Sequence, residues 1–299
     1  MIIFNEVTKD FKTDFWEKPF RALDKLSFEL KQGNIVGFLG ANGAGKTTGI
    51  KTLLKFIKPT SGSIDYHQVL GKNDREVFKN IGYLPERPYF YPDLTGRELL
   101  TYVGQINSIQ KSVIKSESLK WSEFLKIDFA LDRKLRFYSK GMLQRIGFVS
   151  ALIKNPKLLI LDEPLAGLDP MGRKEFKDAM NILVKEGKTI FFSSHILNDV
   201  EEVSKDVVIL KTGKLIYSGN VLELIKNKSS NKFDLLVEPY NSELLSDFES
   251  IEQGGFKKIS IEEDQLQEML NRLASNNIKI ENIRRQTPSL EDIIYRIGI

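Results

Sequence analysis

The sequence predicts an α/β protein built on a mostly parallel sheet and followed by a small α+β appendage. Three observations carry that expectation. Short, almost wholly apolar runs at 35–40, Leu158–Leu161, Thr189–Ser194 and 207–210 have the length and uniformity of strands covered on both faces, as parallel strands are. A glycine-rich segment joins the first of these runs to a helical pattern. A polar cluster at 227–231 then separates them from a shorter set of strand and helix signals. At 299 residues the chain exceeds one average domain of roughly 150 and fits two of unequal size.

Composition narrows the function before any motif is read. Hydrophobic residues make up 41% and charged residues 28% of the chain, ordinary for a globular protein and too apolar for disorder. The 44 basic and 40 acidic side chains leave a formal charge of +4, too even a balance for a nucleic-acid footprint. The absence of cysteine excludes disulfides, thiolate metal sites and cysteine nucleophiles, and 2 histidines exclude a multi-histidine metal centre. No apolar run approaches the roughly 18–20 residues of a membrane helix. Asn5 and Glu6 stand where a signal peptide would carry its basic and apolar regions, so a cytosolic location is expected.

Taken in order, residues 2–7, 26–30 and Ile35–Leu39 read as strands, the last two separated by the turn-forming Lys31, Gln32, Gly33 and Asn34. Ser27, Glu29 and Lys31 alternate with Phe28 and Leu30, the pattern of a half-exposed antiparallel hairpin. After Gly45 a helix runs through Leu53, Leu54, Phe56 and Ile57 until Pro59 and Gly62 stop it, and residues 62–66 suggest a short strand. From about Arg97 to Asn155 the pattern is helical, with Trp121, Phe124, Leu125 and Ile127 at helix-compatible spacing. Beyond the polar cluster, 233–237 and 258–261 read as strands, and Leu266, Met269, Leu270 and Leu273 form one helical stripe. Residues 278–280 alternate, and Thr287 is a helix cap ahead of Pro288, with Glu291 and Asp292 in the first turn.

The strongest chemical signal is Gly40-Ala41-Asn42-Gly43-Ala44-Gly45-Lys46-Thr47-Thr48, which satisfies G-x-x-x-x-G-K-[ST] between a strand and a helix. Glycines let the backbone curl so that successive N–H groups point at phosphate oxygens, and the helix dipole adds positive charge there. Lys46 then reaches the β- and γ-phosphates, and the Thr47 hydroxyl ligates Mg²⁺. The partner motif is an acid at the end of a buried strand. Asp162 follows Leu158–Leu161 at the carboxyl end, where ligands bind in open α/β sheets, and would orient Mg²⁺. Glu163 follows it as the general base for the attacking water. No N-K-x-D motif for guanine is present, which favours ATP.

Between and after these motifs stand Tyr138-Ser139-Lys140-Gly141-Met142-Leu143-Gln144-Arg145, then Ala166-Gly167-Leu168-Asp169, then Ser194-His195. In order and spacing the set resembles the ATP-binding cassette (ABC) ATPase family over about residues 1–225, closest to the ATPase subunits of ABC-2-type exporters. The C-terminal Thr287-Pro288-Ser289-Leu290-Glu291-Asp292-Ile293 is similar to how those subunits end. Lys140 replaces the first glycine of the usual L-S-G-G-Q signature, while Ser139 and Gly141 remain.

The resemblance implies a P-loop NTPase cassette at 1–225: a RecA-like mixed sheet, an antiparallel β subdomain and a helical subdomain at about 88–155. An α+β accessory domain follows at 226–299. It implies ATP sandwiched in a homodimer, each phosphate loop facing the partner's Ser139 and Gly141, with Asp169 at the seam and His195 sensing the γ-phosphate. Ser139 also reads as a plain helix N-cap. Glu86, in the segment Ile81-Gly82-Tyr83-Leu84-Pro85-Glu86, takes the place of the family's glutamine, and its carboxylate would face Mg²⁺ or a water on it. Phe11 is the expected adenine platform, with Phe15, Trp16 and Phe20 as rivals. Pro88, Tyr89, Phe90 and Tyr91 lie where the family receives a helix of a separate membrane permease, which would hold the protein at the inner face of the membrane. His67 reads as an ordinary loop residue. The alternative, a soluble ABC ATPase acting on ribosomes or nucleic acid, is disfavoured by the single cassette and the lack of heptads or basic tracts. No nucleic-acid partner is expected.

Overall fold

The computed structural model describes residues 1–12, 16, 19–226, 232–239, 248, 250–286 and 290–296. It comprises two compact units, Met1–Val221 and Leu222–Gly298, dividing four residues before the boundary expected from sequence.

In the first unit, β1 (Ile2–Phe11) and β2 (Phe20–Leu30) form a long antiparallel hairpin, and β4 (Ser61–Tyr66) joins the other edge of β1. The alternation at 26–31 belongs to this sheet, so the partner of β2 is β1. The turn after Leu30 instead delivers the chain to β3 (Ile35–Leu39), which lies in a different sheet and is buried along its whole length. That second sheet has the order β5-β6-β7-β3-β8-β9, with β5 at Ile81–Leu84, β6 at Leu158–Leu161, β7 at Thr189–Ser194, β8 at Asp206–Lys211 and β9 at Lys214–Asn220. The first five strands are parallel, and β9 runs antiparallel at the edge. This is the mixed sheet of a P-loop NTPase.

A shared phenylalanine core joins the two sheets. Phe4 stacks on Phe28 at 4.3 Å between ring centroids, and Phe28 lies 6.0 Å from Phe38, which is itself 4.9 Å from Phe191. Each such buried ring contributes on the order of 1.5–3 kcal/mol relative to exposure. The helices of this unit are α1 (Lys46–Leu53), α2 (Asp74–Lys79), α3 (Gly96–Ile106), α4 (Lys111–Phe124), α5 (Lys140–Leu152), α6 (Pro170–Lys185), α7 (Leu197–Val203) and α8 (Val221–Lys226), the last crossing into the second unit. Helices α3, α4 and α5 supply the helical stretch expected after Arg97, and Trp121 is buried within it. Among the described residues no helix is long and apolar enough to cross a membrane.

Registry positions the site. Leu39 pairs with Ser194, and Leu161 pairs with Phe192, so the segments leaving β3, β6 and β7 emerge along one edge of the sheet.

The second unit is a four-stranded antiparallel sheet of order β11-β12-β10-β13, formed by β10 (Lys232–Val237), β11 (Ser250–Gln253), β12 (Phe256–Glu262) and β13 (Ile280–Arg285). Helix α9 (Leu266–Ser275) buries Met269 and Leu273 against Leu235, Val237, Ile259 and Ile261, so its apolar stripe is core. Helix α10 (Leu290–Arg296) closes the described chain. The polar cluster at 227–231, the cap at Thr287 and Pro288, and Phe15 lie outside the described residues.

Candidate nucleotide site

The loop from Gly40 to Gly45 takes the curled path its glycines permit. Gly43 and Gly45 have φ of 81° and 103°, and a β-carbon on Gly45 would stand 2.5 Å from the Ala22 carbonyl oxygen, so only glycine fits. Gly45 is the N-cap of α1, which aims the helix's first N–H groups into a cleft of about 470 Å³. Asn42, Gly43, Gly45, Lys46, Thr47 and Thr48 line that cleft, together with Glu86, Glu163 and His195. Gly40 and Ala44 lie behind its wall, where the Gly40 carbonyl accepts a hydrogen bond from Lys46 Nζ at 2.7 Å.

Lys46, although nearly buried, also donates to the Ala41 carbonyl at 3.3 Å and stands 3.4 Å from Glu163 Oε1. The other Glu163 oxygen is 2.8 Å from His195 Nδ1. A carboxylate only accepts, so this contact assigns the imidazole proton to Nδ1. Glu163 itself adopts φ of 48°, a left-handed conformation that costs a non-glycine residue on the order of 1 kcal/mol. Its N–H donates to Ser193 Oγ at 2.8 Å, which helps hold the turn.

The same Ser193 hydroxyl donates to Asp162 Oδ1 at 2.6 Å, and Thr47 Oγ1 donates to that oxygen at 3.3 Å. Burial pushes the Asp162 carboxyl above its ordinary range, the Ser193 and Thr47 hydrogen bonds draw it back, and the charges of Glu163 and Glu86 raise it again. On β5, burial aided by the charges of Asp162 and Glu86 lifts the Tyr83 phenol to about 12. The donor set of Thr47 and Asp162 suits Mg²⁺, a hard ion taken up by one or two protein oxygens together with phosphate and water. Among the described residues no cluster of three or more acids or histidines builds a self-sufficient metal cage.

Other expected residues fall elsewhere. Ser139 caps α5, its hydroxyl accepting from the Met142 N–H at 3.2 Å, and neither it nor Gly141 lines the cleft of its own chain. Asp169 caps α6 by accepting from the Gly172 N–H at 3.1 Å and is exposed. Phe11 does not line the cleft; Phe20, its cross-strand partner, does, while Trp16 points to solvent. Of the aromatic run, Pro88 and Phe90 face Gly147 on α5, whereas Tyr89 and Tyr91 are 91% and 65% exposed. His67 Nδ1 accepts from the Val69 N–H at 3.2 Å, a local turn bond.

Three supporting residues receive no role from the sequence, although Gln144 and Arg145 stand within the signature motif. Ser193 is one of two serines that follow the apolar centre of β7, which is its only local signal. Buried Gln144 donates to the Pro164 carbonyl at 3.1 Å and so ties α5 to the turn after Glu163. Arg145, one residue on, pairs with Glu175 and the Leu125 carbonyl, linking α5 to α6 and to the end of α4.

Similarity to known proteins agrees with this geometry. The profile of the ABC transporter family matches residues 23–166. An uncharacterized ABC transporter ATP-binding protein of Synechocystis sp. is 36% identical over 304 residues, covering 97% of this chain and 82% of its own. The bacitracin transport ATP-binding protein BcrA of Bacillus licheniformis is 38% identical over 289 residues, covering 93% and 92%. Among solved structures, the ATP-binding subunit of an ABC transporter superposes with a TM-score of 0.67 at 26% identity, over 76% of this chain and 92% of that one. A dimeric ATP-binding cassette bound to ADP and Pi shares the fold, with a TM-score of 0.66 at 22% identity over 74% and 99%. Motifs, sheet order and relatives agree: the chain belongs to the ABC transporter ATP-binding cassette family.

Proposed function

We propose that the protein binds and hydrolyses ATP with Mg²⁺ as the ATPase subunit of an ABC-type membrane exporter of the ABC-2 kind. The observation that carries the reading is Glu163, held between Lys46 at 3.4 Å and His195 at 2.8 Å at the carboxyl edge of the parallel sheet. In this reading Lys46 leaves the Gly40 and Ala41 carbonyls for the β- and γ-phosphates, and Glu163 accepts a proton from the attacking water. His195, positioned by its Nδ1 contact with Glu163, would sense the γ-phosphate. Thr47 and Asp162 would hold Mg²⁺, which would neutralise phosphate charge, and Glu86, which lines the same cleft, would face the ion or its water.

Ser139 and Gly141 stand apart from their own cleft, which supports their use on the nucleotide of a second copy in a homodimer. Exposed Tyr89 and Tyr91 suit contact with a separate permease, which would place the protein on the inner face of the membrane, with residues 226–299 as an accessory domain. BcrA's association with bacitracin transport supports the exporter assignment.

The test is steady-state ATP hydrolysis by the wild type and Glu163→Gln, with light scattering to follow oligomeric state. Turnover by the wild type, with an inactive variant that dimerises on ATP, is the expected result. A variant that hydrolyses at the wild-type rate overturns the role of Glu163, and ATP-independent monomers throughout overturn the sandwich.

A further inference from the structure

The contact between Glu163 and His195 is made by two residues on different segments, each a turn between a strand and a helix. Glu163 begins the segment that ends at Asp169, the cap of α6. His195 lies between β7 and Ile196, the N-cap of α7. What fixes α6 relative to α7 therefore also fixes the far anchors of both turns.

That joint is an ion cluster built around one buried carboxylate. Asp199, in the first turn of α7, has a side chain only 5% exposed. It pairs with Arg173 and lies 3.7 Å from Lys177 Nζ, both on α6. Arg173 and Lys177 follow Asp169 at intervals of four, so cap and cations share one face of the helix. Lys177 also pairs with Glu202, one turn further along α7. On the other side, α7 packs on β3: a β-carbon on Gly37 would stand 2.3 Å from Val200 Cγ1. Short helix α7 is thus pinned on one side by packing and on the other by charge. A carboxylate nearly out of water needs its cations in place to offset the cost of burial, so the joint has one favoured geometry.

We infer that Asp199, clasped by Arg173 and Lys177, is a positioning residue that holds His195 against Glu163 and ties that contact to the Asp169 end of α6. Asp199 touches no nucleotide in this scheme; it acts through His195. The inference rests on the proposed role of the Glu163–His195 pair in hydrolysis, yet its geometric half stands without turnover.

The chain has only 2 histidines, His67 and His195, so ¹⁵N-histidine labelling gives two sets of imidazole signals that single substitutions assign. Spectra are recorded near pH 8, where free imidazole is neutral with its pKa about 6.5. In the wild type His195 is expected to show the Nδ1–H tautomer. Asp199→Asn, and independently Arg173→Gln, are expected to move His195 toward a mixture with Nε2–H while His67 is unchanged. In the ATPase assay Asp199→Asn is expected to lower kcat by at least about tenfold with KM for ATP within about twofold, and to cause no further loss in a His195→Ala background. Asp199→Glu, which keeps the charge, is expected to recover part of the rate.

Unchanged His195 signals in both folded variants overturn the inference, as does an equal loss of kcat in the presence and absence of His195. If the tautomer shifts as expected while the wild type fails to hydrolyse ATP, the positioning stands and the proposed activity falls.

Discussion

Ser193 offers the sharpest test of how the site is held together. Its hydroxyl is fully buried and makes two bonds at once, donating to Asp162 Oδ1 at 2.6 Å and accepting from the Glu163 N–H at 2.8 Å. Ser193→Ala removes a hydrogen bond to a carboxylate, which contributes about 1.5–3 kcal/mol, and orphans a main-chain donor at about 1–3 kcal/mol. Taking the low end of each range, because water can enter the space left by the hydroxyl, the loss is about 2.5 kcal/mol. For a unit of this size that corresponds to a fall in Tm of about 5–10 °C. Urea unfolding followed by tryptophan emission isolates the relevant unit, since both tryptophans, Trp16 and Trp121, lie in it and only Trp121 is buried. The left-handed Glu163 loses its tether in the same step, so kcat is expected to fall at least about tenfold. A stability loss below about 1 kcal/mol with unchanged turnover would refute the reasoning, because it would mean that neither bond matters in solution.

Other expectations follow from neighbouring features. The Asp162 carboxyl is raised in the folded state, so the stability it contributes is fully present below its unfolded value of 3.8 and is lost as pH rises through the folded value. Asp162→Asn keeps an acceptor for Ser193 and removes that loss; nucleotide-free variant is expected to be more stable than wild type at neutral pH, the gap closing on acidification in urea titrations. Gly45→Ala places a methyl 2.5 Å from the Ala22 carbonyl at a φ of 103°, so binding of a fluorescent ATP analogue is expected to vanish together with a lowered Tm. Phe20→Ala is expected to weaken that binding by about 5–30-fold, from the roughly 1–2 kcal/mol of aromatic stacking on a base, and Phe11→Ala by less. Equal losses would return Phe11 to the cleft.

The phosphate loop and the two acids were legible because their chemistry is local. A backbone that must curl around phosphate requires glycines at Gly43 and Gly45 within one short segment, and an acid at a strand end declares itself by the apolar run before it. Partnership was less legible. The alternation at 26–31 announces a half-exposed strand, but nothing within it says whether β1 or β3 lies alongside. The same non-locality separates Phe11 from Phe20: the pairing of β1 with β2 sets them opposite each other, and only the position of the cleft tells which one lines it. Ser193 was hidden because a hydroxyl late in a buried strand reads as a tolerated small residue until the carboxylate beside it is known. The Asp199 cluster was invisible for a related reason, since its cations share α6 while the acid stands 26 residues after Arg173, on another helix.

Lys46 carries a consequence for how affinity is read. Its ammonium already holds the Gly40 and Ala41 carbonyls and faces Glu163, so nucleotide does not meet a bare cation but displaces ligands the protein supplies itself. Association is an exchange, and its free energy is what remains after those internal bonds are surrendered. Neutralising Glu163 removes a competitor for Lys46 and, at the same time, a repulsion toward the γ-phosphate. Glu163→Gln is therefore expected to bind ATP more tightly at equilibrium, independently of any arrest of hydrolysis, and a non-hydrolysable analogue is expected to show the same gain.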